Sequence, residues 1–252
     1  MLVKYAYMRK QAVVMAMPVI INVIDGKVTN EDIAEILSYF HHLDEKFSTY
    51  KKNSEISQIN RKELDKSQYS LEMQEIFRLS EETKKETNGY FDINLNGKID
   101  PSGIVKGYAI WQAGKRLKNK GFQNFYIEIA GDIQVFGKNE KHEKWKIGIQ
   151  SPFNLKEIVK IVSLSDKGIA TSGTYIKGNH IFNPKEKRVA TEIASITVIG
   201  PNVYEADRFA TAAFAMGKKG IEFIENLKGF EGYMIQNDKK AVYTRGFENY
   251  II

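Results

Sequence analysis

Residues 125–173 read FYIEIAGDIQVFGKNEKHEKWKIGIQSPFNLKEIVKIVSLSDKGIATSG, and this stretch decides the fold class. Five short runs rich in Ile, Val, Phe and Tyr (FYIEIA, IQVFG, WKIGI, IVKIVSL and GIATSG) follow one another with only polar or Gly-containing turns between them. β-Branched and aromatic residues in pieces too short for helices predict strands. SITVIG at 195–200 adds a sixth. Helical patterns lie on both sides of this block. Residues 30–46 carry Ile33, Ile36, Leu37, Phe40 and Leu43 at helical spacing, with Thr29 or Asn30 as the cap. A second helix is predicted over 71–88, capped by Ser70 and stopped by Gly89, and a third over 103–120, ending at Gly121. Helix returns at 205–216, with a shorter one reaching 227, and YMIQ and AVYT follow as two strands around an Asn237–Asp238 turn. Helices and strands are interleaved without a regular βαβ period, so the expected class is α+β, a mainly antiparallel sheet flanked by helices. With no repeat or flexible linker, one domain over 1–252 is the simplest division.

Composition narrows the function classes. The chain has 252 residues, 42% hydrophobic and 27% charged, enough for a full core. Lys plus Arg exceeds Asp plus Glu by 37 − 31 = 6. These basic residues are scattered, which argues against a nucleic-acid footprint. The absence of cysteine excludes disulfides, thiolate metal sites, a Cys nucleophile and a Cys-linked lipid anchor. Lys4, Arg9 and Lys10 precede the apolar run AVVMAMPVIINVI at 12–24, which imitates a signal peptide. Pro18 interrupts the run, and IDGK stands where a cleavage site belongs, so it is expected to be the first strand, ending in an Asp25–Gly26 turn. A cytoplasmic protein without a transmembrane segment is the corresponding expectation.

The candidate chemistry begins with EADRFATAAFAMG at 205–217. Asp207 and Thr211 stand one helical turn apart, so their oxygens share a face, and two hard donors there suit Mg²⁺. GYFDINLNGKIDPSGIVKGYA at 89–109 sets turn formers before a helix start, where Asp100, Pro101, Ser102 and Gly103 supply a cap and Lys106 lies in the first turn. Free N–H groups and the dipole there attract an anion such as phosphate, although neither GxxxxGK[ST] nor GxGxxG is present. His180, within TSGTYIKGNHIFNP, lies between Gly-containing and Asn–Pro turns, in reach of a ligand as a general base. Tyr50 sits in the polar loop STYKKNSEISQINR, its ring available for stacking. Tyr90 and Phe91 flank Asp92 just after a helix stop. Without HExxH or a His–carboxylate cluster, a zinc hydrolase is not expected.

Taken in order, these segments resemble the ApbE family, the FAD:protein FMN transferases. The resemblance rests on the first strand from Met15, STYKKNSEISQIN, GYFDI, IDPSGIVKGYA, IEIAGDIQVFG, ATSGTY, HIFNP and ADRFATAAFAMG. It implies a T-fold-like α+β domain, FAD as substrate and Mg²⁺ at its diphosphate. The implied metal ligands are Asp207, Thr211 and the main-chain carbonyl of Gly103. The implied FAD contacts are Met15, Tyr50, Tyr90, Phe91, Asp92, Asp100 and Lys106, with Tyr50 stacking on the flavin. A Thr or Ser hydroxyl of an acceptor protein would take FMN as a phosphoester, AMP would leave, and His180 would be the base. Ala16–Met17 stands where the family commonly has Gly–Thr, and Ala130–Gly131 replaces a Gly–Gly pair. Hydrolysis of FAD to FMN and AMP, or a non-catalytic FAD carrier, would use the same ligands.

Overall fold

The computed structural model describes residues 7–95, 97–174 and 181–252. In chain order the strands are β1 (Met8–Val14), β2 (Met17–Val23), β3 (Asn94–Leu95), β4 (Lys98–Ile99), β5 (Phe125–Ile129), β6 (Asp132–Phe136) and β7 (Trp145–Gln150). They continue with β8 (Ile158–Leu164), β9 (Lys167–Gly173), β10 (Phe182–Asn183), β11 (Arg188–Val189), β12 (Ile193–Gly200), β13 (Glu231–Gln236) and β14 (Ala241–Tyr243). The α-helices are α1 (Asn30–Phe47), α2 (Glu55–Asn60), α3 (Leu71–Glu86), α4 (Ser102–Asn119), α5 (Val203–Ala215) and α6 (Gly220–Glu225).

Eight strands form one sheet in the order β1-β2-β5-β6-β9-β12-β13-β14. Every neighbouring pair is antiparallel, as the strand succession in 125–173 demands. One face carries the helices: Val19, Ile21 and Val23 of β2 and Phe125, Ile127 and Ile129 of β5 pack with Ile36, Phe40 and Leu43 of α1 and Ile104 and Ile110 of α4. Further along, Ile196 and Val198 of β12 meet Phe209, Ala210, Ala213 and Phe214 of α5. On the opposite face the β7–β8 hairpin lays Trp145, Ile147, Val162 and Leu164 over Ile133, Val135, Ile169, Ile199 and Ile235. β6 and β12 are therefore buried along their whole length, the polar Asp132, Gln134, Ser195 and Thr197 included.

Two expectations need correction. The run at 12–24 is not one strand: β1 and β2 pair antiparallel through a two-residue turn at Met15 and Ala16, with φ of 55° and 56°. Neither turn position is Gly or Asn, so the local chemistry conceals the turn. The polar loop 48–61 contains α2, whose cap Ser54 accepts the Ser57 N–H at 3.2 Å and whose Ile56 and Ile59 are buried. Helix starts agree closely: Thr29 forms a capping box with Asp32, and Ser70 accepts the Met73 N–H. Among the described residues, no helix is long and apolar enough to cross a membrane.

Candidate functional site

A cleft of about 240 Å³ opens where the turns and helix ends of the helical layer converge. Met15, Tyr50, Tyr90, Phe91, Asp92, Asp100, Gly103, Lys106, Asp207 and Thr211 all line it. Ten of the eleven sequence candidates, spread over nearly two hundred residues, are thus brought to one place. The eleventh, His180, lies outside the described residues, while its successors Ile181 and Phe182 line the same cleft.

One wall is the α4–α5 contact. The Gly107 N–H donates to Asp207 Oδ2 at 2.8 Å, and a Cβ at Gly107 would stand 2.7 Å from Asp207 Cβ and 2.9 Å from the Val203 carbonyl oxygen. Only glycine lets α4 run this close to α5. At Gly103 a Cβ would lie 3.3 Å from Thr211 Cγ2 and 3.2 Å from the Phe91 ring, so the backbone there approaches both. The start of α5 is fixed by Asn202, which caps it, and by Gln134, whose Oε1 accepts the Val203 N–H at 2.8 Å.

Behind this wall lies Asp132, which the sequence reading missed. Only 1% exposed, its Oδ2 is 2.6 Å from Lys106 Nζ, an ion pair without the alignment of a full hydrogen bond. Its Oδ1 accepts the Thr171 N–H at 3.2 Å. Asp207 is 4% exposed. Burial first, and the neighbouring Asp132 carboxylate second, push its carboxyl above the usual range, against the pull of Lys106 and the Gly107 N–H. Two buried carboxylates share one ammonium, leaving the cluster one positive charge short when both ionise. The signal for Asp132 was its position: a carboxylate directly after the Ala130–Gly131 turn and opening the strand of IEIAGDIQVFG.

The opposite wall is aromatic. Phe91 is buried with its N–H on Thr87 Oγ1 at 3.1 Å, and Lys185 Nζ sits 4.6 Å from the Tyr90 ring centroid. Asp92 is engaged: Oδ2 pairs with Lys84 at 2.6 Å and Oδ1 accepts the Asn94 N–H. Asp100 is also engaged, accepting the Ser102 N–H at 3.0 Å at the start of α4. Tyr50 is 98% exposed, yet its loop is tied by Ser54 Oγ donating to the Ser48 carbonyl at 2.7 Å and by Arg61 donating to the Lys52 carbonyl at 2.8 Å. Its ring is thereby left open to a planar ligand. Along the rim, Met15, Ala16 and Ala130 all hold positive φ, a strain of order 1 kcal/mol or more each that clusters at this edge.

The donors in reach of a cation are all oxygens: the Asp207 carboxylate, the Thr211 hydroxyl and the Gly103 backbone. That chemistry and the missing positive charge fit a hard divalent cation. No cluster of three or more His, Asp or Glu suited to a metal occurs among the described residues, so a cation here depends on hydroxyl, backbone and substrate oxygens.

The sequence matches the ApbE family over residues 15–97 and 94–234. The chain belongs to the ApbE family. Among curated ApbE relatives, the FAD:protein FMN transferase of Haemophilus influenzae is 33% identical over 142 residues, 50% of this chain and 40% of that protein. That of Vibrio cholerae is 30% identical over 131 residues, 48% of this chain and 39% of that protein. The chain thus spans about two fifths of the length of the curated relatives it matches. Solved ApbE structures share the fold across the chain. The ApbE protein of Thermotoga maritima superposes with a TM-score of 0.87 at 22% identity, covering 97% of this chain and 99% of that one. The flavin transferase ApbE of Vibrio cholerae gives 0.85 at 21%, with the same coverage.

Proposed function

We propose that the chain, acting as one flavin transferase domain over 1–252, moves FMN from FAD to a Thr or Ser hydroxyl of an acceptor protein with Mg²⁺ at the FAD diphosphate. The observation that carries this reading is the convergence, in one cleft, of an exposed aromatic platform at Tyr50 with the oxygen donors of Asp207, Thr211 and Gly103. The names of the curated relatives support the same reaction.

In this reaction the acceptor hydroxyl oxygen forms a bond to the FMN phosphorus, the bridging P–O bond breaks, and AMP leaves with its electron pair. The hydroxyl proton passes to a base, which we assign to His180. Such chemistry asks the protein for in-line positioning and charge neutralisation. Tyr50 holds the flavin ring, Met15 and Tyr90 border it, and buried Phe91 keeps water from the reacting phosphate. Asp92 and Asp100 shape the FAD-binding wall through the turns they brace. Lys106, one turn into α4, offers positive charge to the phosphates. Mg²⁺, held by Asp207, Thr211 and the Gly103 carbonyl, would supply further neutralisation of the diphosphate.

The test is mass spectrometry after incubating the protein with FAD, Mg²⁺ and an acceptor bearing a Thr or Ser target, beside a sample lacking acceptor. An acceptor heavier by one FMN, with AMP released, is the expected result. Free FMN and AMP with no labelled acceptor would make the chain a hydrolase, and intact FAD would make it a carrier.

A further inference from the structure

We infer that Asp132 is a positioning residue whose task is to hold the Lys106 ammonium against the cleft wall so that it faces the phosphates of a bound dinucleotide. This rests on the flavin reading above and extends it to a residue that does not itself line the cleft.

The argument begins with what Lys106 would do alone. A lysine one turn into a helix has a long, mobile stem, and its strongly hydrated head group favours water over any fixed place. In this structure the ammonium is instead drawn inward, to 2.6 Å from Asp132 Oδ2, with only 19% of the side chain exposed. Asp132 can act as an anchor because it is itself immobile. It follows the tight turn at Ala130 and Gly131, whose φ values are 49° and 91°, opens the fully buried β6, and accepts the Thr171 N–H from β9. Nothing in the core asks for a carboxylate there: the same strand continues with Ile133 and Val135 in an apolar layer. A charge placed at that depth is costly unless paired, and its partner is a cleft residue on the neighbouring α4. The pair therefore relays rigidity from the centre of the sheet to a charge at the cleft surface, as outer carboxylates orient the inner groups of metal and anion sites.

The experiment measures equilibrium affinity for FAD and, separately, for riboflavin, which has the same ring and no phosphate, by flavin fluorescence without turnover. Wild type, Asp132→Asn and the Asp132→Asn, Lys106→Met double variant are compared. Asn keeps the volume and an acceptor for the Thr171 N–H, and the double variant carries neither charge of the pair. The expected result is that Asp132→Asn weakens FAD about tenfold, that adding Lys106→Met weakens it no further, and that riboflavin affinity stays at the wild-type value in both. Wild-type FAD affinity in Asp132→Asn would overturn the assignment. So would a further loss on adding Lys106→Met, since Lys106 would then work without its anchor. A parallel loss of riboflavin affinity would make Asp132 a structural residue only. A wild type that binds neither flavin would instead remove the flavin reading itself, and this proposal with it.

Discussion

Two neighbouring residues of α5, Asp207 and Arg208, sit in clusters of the same charge and opposite character. Each cluster has one cation and two carboxylates. Around Arg208 the guanidinium is buried between Glu205, at 2.5 Å, and Glu86, and also bonds Thr83 Oγ1 at 3.2 Å and lies 4.0 Å from the Phe209 ring centroid. Its two carboxylates reach solvent, with side-chain exposures of 23% and 49%. Water therefore disperses the surplus negative charge, and the cluster simply ties α5 to the end of α3. Around Lys106 both carboxylates are buried, so solvent disperses far less of the surplus. The difference teaches that two clusters of equal charge count can differ wholly in solvent access, and it is the buried one that lines the candidate site.

The hardest test of this contrast is Asp207→Ala. Turnover should fall by about a thousandfold or more, about 4 kcal/mol of transition-state stabilisation, in the FMN-transfer assay, while stability changes little. Loss of folding without a specific loss of turnover would make the two clusters alike.

Arg208→Met should do the reverse. It removes charged hydrogen bonds and should cost about 2–3 kcal/mol of stability in denaturant titration, with turnover per folded molecule near wild type.

Asp207→Asn sharpens the comparison through pH. A carboxyl raised in the folded state makes the folded chain hold a proton that the unfolded chain releases. The contribution to stability is then most favourable below the unfolded value of 3.8 and is lost as pH rises through the folded one. The variant should therefore gain about 1 kcal/mol over wild type without added cation, roughly 2–4 °C in melting temperature. The gain should be larger at pH 8 than at pH 5 and vanish when saturating Mg²⁺ stabilises only the wild type. Equal melting at both pH values would mean that the buried pair carries no strain. The smallest effect belongs to Glu86→Gln, about 0.5 kcal/mol or less by thermal melting, because its carboxylate is half exposed.

The sequence by itself determined the element types and picked out ten candidate residues that the fold brings to one cleft. Helix caps, apolar spacing and the unbroken strand succession of 125–173 are local properties, and they sufficed for an antiparallel α+β chain. Asp207 and Thr211 stood out by their one-turn spacing on a helix, whereas Gly103 and the aromatic residues were assigned through the resemblance to the ApbE family. The tertiary structure alone decided the rest. The hairpin at Met15 and Ala16 holds two non-glycine residues at positive φ, which the pairing of β1 with β2 and of β2 with β5 imposes against local preference. Gly107 reads as an ordinary helix residue until α5 lies across it. Asp132 reads as a turn residue until β6 is enclosed on both faces and Lys106 arrives from α4. Burial and charge proximity are properties of packing between distant segments, and no local pattern encodes which carboxylate will lose its water.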